Sequence, residues 1–113
     1  MQKVIPAILA ADSEELRKQL SVLRGNTSWL HIDIADGTFV KNQSVSIFEL
    51  QEVYQYFNLE FHLMVQDPAK YFNDCNEAGA KRVLFHYEAA QNIAETEERA
   101  AHYRFHTGVA LNP

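Results

Sequence analysis

Short runs of branched and aromatic residues alternate with helix-like segments along the whole of this 113-residue chain. This alternation constrains the fold more than any other feature, because such runs suit strands buried on both faces of a helix-covered parallel sheet. No hairpin signal separates the runs, so we expect repeated βαβ units with right-handed crossovers. Five strands are predicted, at residues 4–9, 29–34, 59–65, 82–87 and 107–111.

Helix start and stop signals predict four helices between these strands. Asp12, with Glu15 three residues later, resembles a capping box, and Gly25 follows the end of the first helix. The aspartate–proline pair at 67–68 opens the third helix, because proline suits the first helical position. The fourth helix, at about residues 92–103, has the weakest apolar stripe. The stripe that predicts the second helix consists of Ile47, Leu50, Tyr54 and Phe57.

The spacing of the predicted strands carries a second constraint. They start roughly every 25 residues, which is typical of a (β/α)8 TIM barrel of about 200 to 250 residues. Four βα units and a fifth strand account for the chain, so the predicted fold class is α/β. The sheet is either an open five-stranded sheet or the N-terminal half of a barrel that does not close. No composition shift marks a boundary, and residues 1–113 are expected to form a single domain.

Composition limits the partners that the chain can have. Ten Lys and Arg against fifteen Asp and Glu give a formal net charge of −5, which disfavours nucleic acid or an anionic membrane. No stretch approaches the roughly 20 apolar residues that span a bilayer. The lone cysteine, Cys75, cannot form an internal disulfide, which favours a reducing compartment. The expected location is therefore the cytoplasm.

Two histidines and an aspartate in neighbouring predicted strands are the candidate functional residues. His31 and Asp33 are two positions apart and therefore share one face of the second strand. His62 offers another imidazole from the third strand. Two imidazoles, a carboxylate and an open position are a typical ligand set for a catalytic metal ion. A hydrogen-bonded structural His/Asp pair and a structural histidine explain the same residues without an ion.

Other chemically active residues have simpler explanations. His86, in the fourth strand, is a further inward-facing candidate, with a role in the core or behind the metal ligands. Gly37, after Asp36, favours a turn with positive φ. Cys75 is expected to lie in the core, and the acidic residues at 95–98 are expected on a solvated helix face.

Five ordered motifs resemble those of ribulose-phosphate 3-epimerases, and together they cover essentially the whole chain. They read PAILAAD from residue 6, WLHIDIADGTFVKN from 29, HLMV from 62, FHYEA from 85 and GVALNP from 108. The resemblance implies a (β/α)8 barrel that interconverts D-ribulose 5-phosphate and D-xylulose 5-phosphate by proton transfer at carbon 3. Such an enzyme is an isomerase of the pentose phosphate pathway.

The resemblance also implies roles for individual residues. Positions matching His31, Asp33 and His62, with an aspartate further on, would hold one divalent ion (zinc, iron, manganese or cobalt). The ion would polarise the substrate carbonyl and stabilise the enediolate. Asp33 would also move the proton on one face of the substrate, and the later aspartate would serve the other face. His62 and Met64 are the implied substrate contacts, and Ala7 stands where the family usually has a substrate-contacting serine.

Three functions are open at this point. The first is an epimerase of the ribulose-phosphate type, in which these residues alone have little turnover because the later aspartate and the phosphate-binding loops are missing. The second is an epimerase of another ketose phosphate, such as a hexulose 6-phosphate. The third is a non-catalytic half-barrel that self-associates through its unpaired first and fifth strands. The expected partners are a phosphosugar and further copies of the chain in a homo-oligomer.

Overall fold

The computed structural model describes residues 4–51 and 53–113, except for the side chain of Tyr54. Within these residues, five parallel strands form one sheet in the order of the sequence. All five predicted strands are confirmed. Four have ends shifted by at most two residues, whereas the first, predicted at residues 4–9, is only two residues long. The strands are β1 Ala7–Ile8, β2 Trp29–Ala35, β3 Asn58–Met64, β4 Ala80–His86 and β5 His106–Ala110.

The sequential strand order places every connection on the same side of the sheet. Each right-handed crossover steps to the next strand in one direction, so the connecting segments all cover one face. A doubly wound sheet would instead reverse direction and cover both faces. The predicted α/β class is therefore confirmed, and the open, unclosed sheet is consistent with part of a TIM barrel.

Three α-helices lie within the described ranges, namely α1 Ser13–Leu23, α2 Phe72–Glu77 and α3 Ile93–Ala100. The predicted start of α1 is confirmed, since the Asp12 carboxylate accepts the backbone N–H of Glu15 at 2.8 Å. Gly25, with φ of 85°, follows its end in the left-handed region that favours glycine. Every helix in this part of the chain is too short or too polar to cross a bilayer.

The prediction of an α-helix between β2 and β3 is wrong. Two 3-10 turns, Ile47–Leu50 and Val53–Gln55, occupy its place. The apolar residues Ile47, Leu50 and Val53 recur every three positions, which is the period of a 3-10 helix and falls short of the 3.6 of an α-helix. Of the predicted stripe, Ile47, Leu50 and Phe57 are buried. The side chain of Tyr54 lies outside the described part of the chain.

The hydrophobic core lies between the sheet and the segments that cover it. Alternate residues of β2, β3 and β4 point into this core. Phe72 and Cys75 of α2 pack against them and are fully buried, so the predicted core position of Cys75 is confirmed. The strand residues concerned are Leu30, Ile32, Phe61, Leu63, Val83 and Phe85, each at most 1% exposed. The other alternate residues of the same strands form the open face.

Candidate metal centre

The open face of the sheet carries His31, Asp33 and His62 side by side. His31 and Asp33 lie on β2, and Asp33 is in register with His62 on β3. Because alternate residues of a strand share a face, all three side chains point away from the core. Each side chain keeps about a fifth of its surface exposed (20%, 19% and 20%). We call these three residues the candidate cluster.

Both imidazoles of the candidate cluster converge on one carboxylate oxygen. Nε2 of His31 lies 2.9 Å from Oδ1 of Asp33, and Nδ1 of His62 lies 2.8 Å from the same atom. The three ligand atoms all lie within 4.8 Å of one another. A metal ion bound at about 2.0–2.2 Å to nitrogen and oxygen ligands holds those ligands roughly 3 Å apart. The donor set therefore fits a divalent ion in both chemistry and spacing.

Each imidazole of the candidate cluster also has a partner on its other ring nitrogen. Nδ1 of His31 lies 2.6 Å from Oε1 of Glu60, and Nε2 of His62 lies 2.7 Å from Nε2 of His86. Nδ1 of His86 faces Oε1 of Glu88 at 3.5 Å. Partners of this kind fix the orientation of an imidazole ring. His86 thus stands behind His62, the second of the two roles that the sequence left open for it.

The local electrostatics keep the Asp33 carboxyl group ionised. Its partial burial acts to raise its pKa, but hydrogen bonds from His31 and His62 outweigh the burial and hold the pKa well below its usual range. The hydrogen bond to Asp33 raises the pKa of His31. Burial, together with the neighbouring His62, lowers the pKa of His86. An ionised carboxylate is the form that binds a metal ion.

Hydrogen bonds join the loops after β2 and β3 next to the candidate cluster. One carboxylate, that of Asp36, accepts the backbone N–H groups of Thr38, Phe39 and Gln66, each at 2.8 Å. These backbone donors outweigh its partial burial and lower the pKa of Asp36. Gly37 has φ of 79°, which confirms the predicted turn. Asp36 and Gly37 therefore have a structural role in these loops.

The structure also places the remaining predicted site residues. Met64 lies on the same face as His62, in register with Ala35. Ala7 of β1 is in register with His31 and is exposed. Glu60 was missed by the sequence analysis, although its position two residues before His62 puts it on the same face of the strand.

The sequence matches the family model described as "Ribulose-phosphate 3 epimerase family" over residues 3–113. The chain belongs to the ribulose-phosphate 3-epimerase family. The resemblance predicted from the five motifs is therefore confirmed, and the order of the five strands agrees with it.

Individual relatives give the same result. The chain is 32% identical over 117 residues to the ribulose-phosphate 3-epimerase of Schizosaccharomyces pombe, covering 98% of this chain and 51% of that protein. It is 34% identical over 116 residues to the Bacillus subtilis enzyme of the same name, covering 100% and 54%. The cytoplasmic isoform of Oryza sativa subsp. japonica is 31% identical over 115 residues, covering 98% and 50%. The chain spans about half the length of these curated relatives.

Proposed function

We propose that this chain supplies the metal-holding strands of a ribulose-phosphate 3-epimerase, which interconverts D-ribulose 5-phosphate and D-xylulose 5-phosphate. The observation that carries the proposal is the convergence of two imidazole nitrogens on one oxygen of Asp33. Membership of the family supports a phosphosugar as the substrate class. The names of the relatives support the pentulose phosphate over a hexulose phosphate.

His31, Asp33 and His62 hold one divalent ion in this proposal, either zinc, iron, manganese or cobalt. The ion supplies positive charge next to the substrate oxygens on which negative charge develops. Within the described part of the chain, the hydrogen bonds to the Asp33 carboxylate both reach Oδ1. Oδ2 is therefore available to take the proton from carbon 3. Inversion at this carbon also needs a proton from the opposite face, a role that the resemblance gives to a later aspartate.

The substrate contacts of the proposal lie on the same face as the ligands. Met64 follows His62 by two residues on β3, so it offers a half-buried apolar surface beside the ion-binding atoms. Ala7, in register with His31, has no hydroxyl group to donate to the substrate. We therefore expect a weaker hold on the sugar phosphate at this point and no loss of the metal site.

Zinc binding and turnover together test the proposal. We expect the chain to bind one zinc ion in calorimetric titrations, and Asp33→Asn to weaken this binding at least 100-fold, because a neutral amide replaces the charged ligand. Asp74→Asn, an exposed position on α2, is the matched control and should leave the affinity unchanged. Equal zinc affinity in the wild type and Asp33→Asn would refute the metal centre.

The turnover measurement uses D-ribulose 5-phosphate with each of the four metals in turn. We expect little turnover compared with the Bacillus subtilis relative, because the chain covers 54% of that protein and the site needs a second proton-transfer group. Any turnover should disappear in Asp33→Asn. A rate close to that of the relative would contradict the incomplete site, and a faster reaction with a hexulose 6-phosphate would favour that substrate.

Two further expectations, a homo-oligomer and a cytoplasmic location, remain predictions. Among the described residues, β5 pairs with β4 on one side only. It contains the exposed Val109, and the exposed Leu111 follows it (42% and 70% exposed), which supports self-association into a homo-oligomer. A cytoplasmic location is supported by the name of the Oryza sativa relative.

A further inference from the structure

Glu60 lies beside the candidate cluster and is nearly buried, with 9% of the residue exposed. On β3 it is in register with His31 of β2 and with Arg82 of β4, so three side chains meet on the open face. Its Oε1 lies 2.6 Å from Nδ1 of His31, and its Oε2 lies 2.5 Å from Nε of Arg82. Such partners are required, because a charge removed from water without one costs much free energy.

The guanidinium group of Arg82 holds the Glu60 carboxylate from the side opposite His31. Its Cζ lies 4.8 Å from the centre of the Trp29 ring, within the range of a cation–π contact. Trp29 is two residues before His31 on β2 and therefore lies on the same face. The carboxylate thus lies between His31 and Arg82, one on each neighbouring strand.

The contact with Glu60 decides which nitrogen of His31 is available to a metal ion. An ionised carboxylate can only accept hydrogen bonds, so it keeps a proton on Nδ1 of the imidazole. Nε2 faces the Asp33 carboxylate at 2.9 Å and donates to it when no ion is bound. A metal ion would take the place of that proton on Nε2, while the proton on Nδ1 stays with Glu60. Metal-binding histidines commonly donate their other N–H to a carboxylate in this way.

We propose that Glu60 is a positioning residue, which holds His31 with its proton on Nδ1 and Nε2 directed at the metal site, and that Arg82 holds Glu60 in turn. This role rests on the proposed function, since it requires a divalent ion at the candidate cluster. Glu60 and Arg82 contact neither the ion nor the substrate. They act through the imidazole of His31.

Zinc titration of Glu60→Gln is the first test. Glutamine keeps the size of the side chain but lacks the negative charge that pairs with Arg82 and accepts from His31. We expect the zinc Kd to rise about 10- to 100-fold. Glu97→Gln, an exposed position on α3, is the matched control and should leave the Kd unchanged. Circular dichroism of the metal-free proteins checks that both variants fold, and an unchanged Kd in folded Glu60→Gln would overturn the role.

A second measurement does not depend on how well a variant folds. Nitrogen NMR of the imidazole rings in the zinc-loaded wild type reports which nitrogen of His31 carries the proton. We expect a protonated Nδ1 and a zinc-bound Nε2, and the reverse assignment would overturn the proposal. A wild-type chain that binds no zinc would remove both this role and the proposed function. Zinc binding with the reverse assignment would remove the role of Glu60 alone.

Discussion

The covered face and the open face of the sheet carry alternate residues of the same strands, yet their side chains differ in kind. On the covered face, Phe61 and Leu63 of β3 are apolar and 0% exposed. On the open face, Glu60 and His62 of the same strand bind charged or polar partners. Burial of apolar area stabilises the fold, whereas polar groups cost free energy unless they are paired. One strand therefore carries buried apolar side chains on one side and paired polar side chains on the other.

The largest effect should come from truncating the covered face. Phe61→Ala removes a fully buried ring and leaves a cavity, so we expect the free energy of unfolding to fall by about 3–5 kcal/mol. His62→Ala, at the next position on the open face, should lower it by about 1 kcal/mol or less while abolishing zinc binding. Urea denaturation measures the first quantity and calorimetric titration the second.

One result would contradict this comparison of Phe61 with His62. Equal losses of unfolding free energy in both variants would show that the open face also carries the fold. If Phe61→Ala does not fold at all, Phe61→Leu measures the same loss of packing with a smaller deletion. In either variant, zinc binding by the folded fraction should persist, because position 61 faces away from the candidate cluster.

The sequence was enough to predict the two faces of each strand but not the contacts between strands. The period of two placed His31 and Asp33 together, since it depends only on the geometry of one strand. The association of Glu60 with Arg82 depends on the register between β3 and β4, which includes an irregularity between Leu59 and Glu60. No pattern within a single strand contains that register.

The prediction of the second helix was wrong for a different physical reason. The predicted stripe has spacings of three and four, which are typical of an α-helix. Ile47, Leu50 and Val53 also follow the period of three of a 3-10 helix, and all three pack against the core in that arrangement. Helix starts fixed by a local hydrogen bond, such as the one from the Glu15 backbone N–H to the Asp12 carboxylate, were predictable because both groups are close in the sequence.

The titration of Asp33 and His31 on the open face should have a smaller effect on the free energy of unfolding. Without metal, the lowered pKa of Asp33 gives stability that is present above about pH 4 and lost as the pH falls through the lowered value. The raised pKa of His31 gives stability that is present below about pH 6.5 and lost as the pH rises through the raised value. Both contributions coexist between about pH 4 and pH 6.5.

The contribution of His31 to the stability of the metal-free chain should therefore be larger at about pH 5.5 than at about pH 8. The lowered pKa of His86 acts in the opposite direction, so the His31 contribution is the difference in pH dependence between the wild type and Asp33→Asn. Solvent reaches His31 and Asp33, and its screening keeps this contribution to about 1 kcal/mol or less. Urea denaturation with a chelator present measures it. Asp33→Asn should remove most of this contribution, whereas the same pH dependence in that variant would place its origin outside the candidate cluster.

The smallest effect tests how tightly the open face is packed. Gly108 of β5 is in register with Leu84 of β4 on that face, and a Cβ at Gly108 would lie 2.5 Å from Cδ2 of Leu84. Leu84 is half-buried, so the end of its side chain can turn toward solvent. We expect Gly108→Ala to cost less than about 1 kcal/mol of unfolding free energy, below the usual cost of overpacking a core.

Ala80→Val is the matched enlargement on the covered face. Ala80 of β4 is in register with Leu59, which is 0% exposed, so added methyl groups meet side chains that have no free space to enter. We expect this substitution to cost about 1–3 kcal/mol, measured by urea denaturation beside Gly108→Ala. A loss at Gly108 as large as that at Ala80 would mean that both faces are packed alike, and the open face would then have no room for a substrate without a rearrangement of its side chains.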